Sequence, residues 1–352
     1  MSGIAADFLY VIGIAVMFLI LIAPHEGGHF LVAKLCGVRV IEFSIGAGTR
    51  LWSMTRNGTL YAIRLIPVIG YVRMGGMEAD DLEDPNGFHS KAPLQRIAIL
   101  VAGPIANFLV AVVIATGFYL TQVNTDPGKI ADLVKDSPAA AAGLKAGDSI
   151  RTVDGIPIKS TTDIQKAVAA GNSVTIKGVH ADGKAFTLQV TPDCTTGTCR
   201  IGVFTSPLIT TQTALHNGVS FPVTAFKVIW QGLASLVTGQ VKGGLLGPQG
   251  LTGPIGIAAI TYDAVNHGPA DYMLLVALLS VALGVTNLLP LLALDGGRIV
   301  IVILEWLRRR PFDRHSELNF QRFGLVALLA LVVVISFLDI QRIATGQFPG
   351  VH

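Results

Sequence analysis

Four long stretches of this sequence contain no Asp, Glu, Lys or Arg, and they constrain the fold more than any other feature. They run from Phe8 to Pro24, from Ile97 to Leu120, from Met273 to Leu294 and from Phe323 to Leu338. A helix needs about 20 apolar residues to cross the hydrocarbon core of a bilayer. The second and third stretches have that length. The first can continue through His25, and the fourth ends where Arg322 and Asp339 can lie at the two interfaces. The sequence therefore predicts an α-helical polytopic membrane protein with about four transmembrane helices.

The composition agrees with this fold class. Charged residues make up 14% of the chain and hydrophobic residues 51%, whereas an ordinary soluble domain carries charge on about a quarter of its residues. A cleavable signal peptide is the alternative for the first stretch. Its flank, residues 1–7, lacks the positive charge of signal peptides, and no small-x-small cleavage site follows. We therefore expect this stretch to remain as a span.

The distribution of Lys and Arg predicts the orientation. The loop between the first two spans carries Arg39, Arg50, Arg56, Arg64, Arg73, Lys91 and Arg96, and the loop between the last two carries Arg298, Arg308, Arg309, Arg310, Arg314 and Arg322. Short loops that are rich in Lys and Arg stay in the cytoplasm. We therefore expect both loops inside, and both termini and residues 121–271 outside.

Residues 38–77, between the first two spans, alternate apolar and polar residues and are rich in Gly. This pattern predicts short β-strands. Because strands beside a membrane must be paired or covered by protein, we expect a small membrane-associated sheet packed against the helices. An open edge of that sheet could accept an extended peptide.

Residues 125–206 have the composition of a soluble domain, with Lys and Asp spread evenly. The segment VKDSPAAAAGLKAGDSIRTVDG, residues 134–155, resembles a bacterial PDZ domain, present here in one copy. Cys194 and Cys199 lie in this outside region, where an oxidising compartment could join them in a disulfide; two unpaired thiols are the alternative. Cys36, on the cytoplasmic side, is expected to be an inert thiol.

The region after this domain is less constrained. Residues 211–241 could form an amphipathic helix along the outer interface, followed by a Gly-rich loop at 242–256. A plain linker is the alternative, because the apolar spacing is loose. The predicted domain organisation is residues 1–124 with spans one and two and the sheet, an inserted extracytoplasmic α+β PDZ-like domain at 125–206, a linker or interfacial segment at 207–270, and residues 271–352 with spans three and four.

The end of the first span carries the pattern H-E-x-x-H, from His25 through Glu26 to His29. On a helix, positions four apart return to within about 40° of one face, so both imidazoles can bind one metal. Glu26 can then reach a water beside the metal and act as general base. A chance match is the alternative, but ionisable groups at the end of a charge-free span cost a few kcal/mol each unless they are paired or metal-bound. The motif predicts one Zn²⁺.

A catalytic zinc takes three protein ligands and leaves a fourth position for water. Asp295 closes the third charge-free stretch and precedes Gly296 and Gly297. Taken alone, an Asp in this context is more typical of a helix N-cap. Beside the zinc motif, we predict that it is the third ligand. The remaining histidines lie in loops or in the outer domain, far in sequence from the first span: His89, His180, His216, His267 and His315.

Two motifs together resemble the site-2 protease family of intramembrane zinc metalloproteases. The segment NLLPLLALDGG, residues 287–297, is similar to the N-x-x-P-x-x-x-L-D-G motif of that family, and residues 25–29 are similar to its zinc motif. Further matches at 43–48, 102–108 and 253–257 extend the resemblance over nearly the whole chain, and it fits the RseP/RasP-like bacterial group. Gly28 is a departure, because relatives commonly carry a bulkier apolar residue there.

The resemblance implies a function and further site residues. It implies that Asn287 and Pro290 belong to the substrate-binding motif, with Asn287 on the substrate backbone. The segment Gly46, Ala47 and Gly48 would form a membrane-facing loop that offers an edge to an unwound substrate. Taken alone, Asn287 could be a helix–helix hydrogen-bonding residue and the two glycines a turn.

The resemblance also implies regulated intramembrane proteolysis in the bacterial cytoplasmic membrane by a zinc metalloendopeptidase. The expected partners are lipids and single-span proteins already trimmed outside, such as anti-sigma factors or remnant signal peptides, and not nucleic acid. The PDZ-like domain would be a size filter or bind a new C-terminus. Two alternatives are a PDZ-based membrane sensor with a structural metal, which would need a fourth protein ligand, and a membrane-anchored protease of soluble proteins, which would need its zinc motif in the outer domain.

Overall fold

The computed structural model describes residues 3–77, 81, 84–195, 197–241, 244, 247 and 250–348. The chain divides into two units, Met1–Phe118 with Gly218–His352, and Tyr119–Asn217. The helices are α1 (Gly3–Leu35), α2 (Pro93–Thr121), α3 (Pro138–Ala141), α4 (Asp163–Val168), α5 (Thr211–Val237), α6 (Pro254–His267), α7 (Pro269–Leu288), α8 (Asp295–Arg308) and α9 (Arg314–Ala344). The strands are β1 (Val40–Arg56), β2 (Thr59–Met74), β3 (Ile130–Leu133), β4 (Ser149–Val153), β5 (Ile156–Pro157), β6 (Val174–Val179), β7 (Ala185–Val190) and β8 (Val203–Thr205).

Four helices of the described chain are long and apolar enough to cross a membrane: Leu9–Leu35 of α1, α2, α7 and α9. The predicted number of spans is confirmed. The third differs from its predicted bounds, because α7 ends at Leu288 rather than at residue 294. Pro290 has no amide hydrogen and disfavours helical backbone at the residue before it, so the chain leaves the helix there. A separate helix, α8, begins at Asp295.

The predicted sheet between the first two spans is present, and it is more than a plain hairpin. Residues 59–64 pair with residues 50–56, and they also lie beside residues 42–45. Residues 70–74 lie along the other side of residues 40–45. Gly46 and Gly48, both with positive φ, stand where β1 turns between these two pairings. Residues 70–74 are therefore an edge strand of this sheet, as far as the described chain goes.

The second unit contains two small sheets, one of β3 and β8 and one in the order β5-β4-β6-β7. Its core is a cluster of twelve buried apolar residues, which are Ile130, Ala139, Leu144, Ile150, Val153, Ile164, Val168, Val174, Ile176, Phe186, Val190 and Ile201. Ser137 caps the short helix α3 by accepting a hydrogen bond from the Ala140 amide. The sulfur atoms of Cys194 and Cys199 are bonded in a disulfide, while Cys36 in the first unit is a free thiol.

The remaining helices of the first unit are held largely by polar contacts. The predicted helix after the second unit is present as α5, and Ala225 on it is buried with Ala111 of α2 and Val281 of α7. The predicted Gly-rich loop at 242–256 lies partly outside the described residues. The helix that follows it, α6, is capped from α9, because the buried Asp339 carboxylate accepts hydrogen bonds from two amides at its start, those of Gly253 and Gly256.

Candidate metal centre

The two histidines of the H-E-x-x-H motif lie side by side on α1. Their Nε2 atoms are 3.2 Å apart, and both side chains are buried. This follows from the helical repeat, which brings positions four apart onto one face. Gly28, between them, allows α1 to approach α2, because a Cβ atom at this position would clash with the Ala102 carbonyl. The glycine that departs from the family pattern therefore has a packing role here.

Asp295 completes a cluster with the two imidazoles. It is the first residue of α8, and its Oδ2 atom lies 3.3 Å from His25 Nε2 and 3.2 Å from His29 Nε2. Four ligand atoms about 2.0 Å from a tetrahedral zinc ion are about 3.3 Å from one another, so this triangle fits zinc. In the part of the chain that the structure describes, no other three His, Cys, Asp or Glu side chains form such a group.

The orientation of His29 is fixed from α2. Its Nδ1 atom is 2.7 Å from the Ile99 carbonyl oxygen, so Nδ1 carries the hydrogen and Nε2 is left to face Asp295. Gly103, one turn further along α2, makes room for the ring, because a Cβ atom there would clash with the imidazole of His29. The Nδ1 atom of His25 is buried and has no hydrogen-bond partner among the described residues.

Two cavities meet at this cluster. One, of about 420 Å³, has mostly apolar walls from α1 and α7, and the other, of about 340 Å³, is more polar and includes His29, Asp295 and Arg298. Four residues line both of them: His25, Glu26, Gly70 and Asn287. The structure therefore brings the predicted base and the predicted substrate-binding Asn287 to the space beside the cluster.

The edge strand of the first sheet also reaches these cavities. Gly70 and Tyr71 line the polar cavity. A Cβ atom at Gly70 would lie 2.9 Å from Glu26 Cγ and 2.6 Å from the Ile22 side chain, so only glycine allows the strand this close to α1. We did not single out Gly70 from the sequence, although a glycine inside an alternating strand pattern is a known sign of such a close approach.

Other predicted substrate-binding residues lie elsewhere. Gly46, Ala47 and Gly48 line neither cavity. A Cβ atom at Gly46 would lie 2.7 Å from the Arg64 carbonyl, and the Gly48 carbonyl accepts a hydrogen bond of 2.8 Å from Arg64. Pro290 is exposed after the end of α7 and lines neither cavity. The structure does not bring these four residues to the cluster.

A buried carboxylate links the loop at Gly48 with the edge strand. Glu42 Oε1 accepts a hydrogen bond of 2.7 Å from Arg64 and one of 2.8 Å from the Tyr71 hydroxyl. Burial raises the pKa of Glu42, but the hydrogen bonds from Arg64 and Tyr71 outweigh this and hold the pKa below its usual value. Glu42 therefore stays ionised and holds Tyr71 in place on the edge strand, next to Gly70.

Comparisons with known proteins agree with this geometry. The profile of Peptidase family M50 matches residues 13–331. The chain is similar to the zinc metalloprotease RasP of Bacillus licheniformis, with 29% identity over 95% of this chain and 99% of that protein. It is also similar to the regulator of sigma-W protease RasP of Bacillus subtilis, with 30% identity over 95% of this chain and 98% of that protein. The matched span contains all three residues of the cluster.

Proposed function

The chain belongs to peptidase family M50 and is a membrane zinc metalloprotease, and we propose that it cleaves single-span membrane proteins at the centre formed by His25, His29 and Asp295. One observation carries this proposal. Three ligand atoms from two distant parts of the chain lie 3.2 to 3.3 Å from one another, and Glu26 lines the same cavities. The two histidines of the cluster lie on α1, one of the four candidate spans.

The chain's own groups have separate tasks in this chemistry. Zinc, when bound, lowers the pKa of water and polarises a carbonyl group. Glu26 takes the proton of the attacking water and passes it to the leaving amine. The hydrogen bond from His29 to Ile99 keeps the Nε2 lone pair directed at the centre. The walls of the larger cavity are mostly apolar.

A helical substrate must open before it can be cut, because each of its peptide groups is held in a hydrogen bond of the helix. We infer that residues 69–72, rather than the Gly46–Gly48 loop, pair with the opened segment. In support, Gly70 lies against Glu26, and this strand has one edge free of other described strands. Asn287, which lines both cavities, hydrogen-bonds the substrate backbone. Gly46 and Gly48 act indirectly, through Arg64 and Glu42.

We propose single-span proteins already trimmed outside the membrane as substrates, such as anti-sigma factors and remnant signal peptides. The similarity to a protein named regulator of sigma-W protease supports the first class. The two arginine-rich loops support an orientation with the metal centre towards the cytoplasmic side and with residues 121–271 outside. The disulfide between Cys194 and Cys199 fits an oxidising compartment on that outer side.

We further infer that residues 125–206 form a PDZ-like domain that binds the carboxyl terminus left by an earlier cut. The amides of Ile201 and Gly202 donate no hydrogen bond to any described residue, and Gly202 has a φ of +79°. Successive amides in such a turn bind anions. The next strand, β8, pairs only with β3 among the described strands, so its other edge is open.

A peptide titration tests this part of the proposal. A peptide with a free carboxyl terminus should bind this unit, and the same peptide with an amidated terminus should bind at least about tenfold more weakly, because it lacks the charge that the amides hold. If neither form binds while removal of the unit allows longer substrates to be cut, the unit is a size filter instead.

Co-expression with candidate single-span substrates tests the proteolytic function. Wild type should release fragments, while Glu26→Gln and Asp295→Asn should release them far more slowly, and the surface variant Asp182→Asn should behave as wild type. The expected loss for Glu26→Gln is about 10²- to 10⁴-fold in rate. Equal fragment release by wild type and Glu26→Gln would show that the assignment of the centre is wrong.

A further inference from the structure

The helix that carries Asp295 is not continuous with a membrane span. Residues 289–294 separate α8 from α7, and α8 has 14 residues. A metal ligand must nevertheless be held within about half an ångström of its working position. Some contact must therefore fix both the rotation and the axial position of α8. The close packing of Gly296 and Gly297 on the backbone of residues 288–292 holds only the start of the helix.

One face of α8 carries its buried and half-buried polar groups. At 100° per residue, Asp295, Arg298, Val302 and Glu305 fall within an arc of about 80°. Val302 and Glu305 are buried, and the opposite face exposes apolar residues such as Leu304 and Leu307. Glu305 lies about 15 Å along the helix from Asp295. An anchor at Glu305 therefore fixes the rotation that directs Asp295 at the two histidines.

Glu305 has three partners, one on α2, one on α9 and one in the loop before α9. Its Oε2 atom accepts a hydrogen bond from the Arg96 guanidinium at the start of α2. Its Oε1 atom accepts hydrogen bonds of 2.8 Å from Arg314 of α9 and 2.8 Å from the Phe312 amide. Arg96 is itself buried, with 5% of its surface exposed, and Glu305 has 7% exposed. The carboxylate thus joins α8 to two neighbouring helices.

The contact with Arg96 connects the two helices α2 and α8 at a second point, away from the metal centre. Arg96 lies one turn before Ile99 on α2, and the Ile99 carbonyl orients His29. Glu305 lies on the same helix as Asp295, and Asp295 meets His29. The segment of α2 that orients one ligand is therefore tied, through Arg96 and Glu305, to the helix that carries another.

Stability alone does not explain this buried pair. The desolvation of two charges offsets most of their attraction, and apolar residues of the same volume are often as stable. The surroundings are also rich in cations: burial and the charges of Arg314, Arg96 and Arg298 lower the pKa of His89 to about 3. Fixing the register of packed elements is the best-attested use of such buried groups.

We propose that Glu305 and Arg96 are positioning residues for the metal centre, and that their contact holds Asp295 and His29 in the arrangement that binds zinc. This inference rests on the proposed ligand set. It assigns no contact with substrate to either residue. Glu317 offers a matched control, because it is buried nearby and bonds Arg314, while its carboxylate makes no hydrogen bond or ion pair with Arg96 or with α8 among the described residues.

The first experiment measures zinc affinity by competition with a chelator, together with the melting temperature. Glu305→Gln and Arg96→Gln should each bind zinc about 10- to 100-fold more weakly, as expected when a partner that orients a metal ligand is lost. Glu317→Gln should bind zinc as wild type does, and Arg96→Lys, which keeps the charge, should recover most of the affinity. Equal loss in Glu305→Gln and Glu317→Gln, or unchanged affinity in Glu305→Gln, would overturn the proposal.

The second experiment uses metal-free protein, so that it separates this inference from the proposed ligand set. Spin labels at the exposed positions Leu94 of α2 and Leu307 of α8, in a Cys36→Ser background, report the distance between these helices. Glu305→Gln should broaden the distance distribution, and Glu317→Gln should not. If wild type binds no zinc but Glu305→Gln still broadens the distance distribution, the proposed ligand set is wrong, whereas the contact that positions α8 is supported. A distribution unchanged by Glu305→Gln refutes the contact.

Discussion

The two units of this chain differ in the apolar side chains that they expose and in the charged side chains that they bury. The core of the second unit is a cluster of twelve apolar residues. The first unit exposes apolar side chains on its spans, such as Val113 and Val333, and buries charged ones, such as Glu305 and Asp339. Lipid solvates an apolar side chain as well as a protein core does, so burying one in the membrane gains little. Apolar packing therefore holds the second unit together, while the first unit combines apolar clusters with buried charged groups that hydrogen-bond between its helices.

Removal of the metal should give the largest difference in behaviour between the two units. A chelator should abolish proteolysis, and zinc should restore it, because the proposed ligands His25, His29 and Asp295 all lie in the first unit. Hydrogen exchange should then rise at α8, where Asp295 loses its shared partner, and stay unchanged in β6 and β7. An equal rise in exchange in both units would mean that the metal stabilises the chain as a whole and does not serve one site.

Truncation of a single apolar residue should lower stability much more in the core of the second unit than on an exposed face of a span in the first. Ile176→Ala, in the core of the second unit, should lower the free energy of unfolding of that unit by about 3 kcal/mol. Val113→Ala, at an exposed position of a span, should change stability by less than about 0.5 kcal/mol. Exchange rates of protected amides in each unit give both values. Similar losses in the free energy of unfolding at the two positions would show that the two units do not differ in this way.

The same contrast explains what could be predicted from the sequence. The four spans and the H-E-x-x-H pair depend on neighbouring residues, so charge-free runs and a spacing of four are sufficient to find them. Asp295 could be paired with them because it closes an apolar run. The helix that it begins was not predicted, because Arg298 and Glu305 resemble the charged residues of a cytoplasmic loop. Their partners lie on other helices: Glu305 bonds Arg96, about two hundred positions away, and Arg314, while Arg298 bonds Gln321.

The substrate edge was harder to predict for a different reason. Both Gly46 and Gly70 lie in alternating strand patterns, and either could have marked the approach of a peptide. Only the bend of β1 and the pairing of residues 40–45 with two other segments decide that residues 70–74 are outermost. This pairing is a property of the assembled sheet, so it cannot be predicted from the pattern of residues within one strand.

The disulfide should matter to the second unit alone. Replacing Cys194 and Cys199 by serine should lower the free energy of unfolding of that unit by about 2 kcal/mol, as expected for a short closed loop. The sulfur atoms pack at Gly171, just after α4, so protection should fall first there. Zinc affinity should be unchanged. Loss of zinc binding in this double variant would show that the two units depend on each other.

The smallest expected effect is a loss of stability of the first sheet at acid pH. Because the pKa of Glu42 is lowered in the folded protein from 4.5, its contribution to stability is complete above pH 4.5 and is lost as the pH falls through the folded value. Amide protection in residues 42–45 and 70–73, corrected for intrinsic exchange, should therefore fall by about 1 kcal/mol on acidification. Glu42→Gln should lack this dependence, because a neutral amide keeps the same hydrogen bonds at every pH. If wild type and Glu42→Gln lose protection equally, the buried carboxylate does not hold the edge strand, and the first sheet would then be stabilised by packing, as the second unit is.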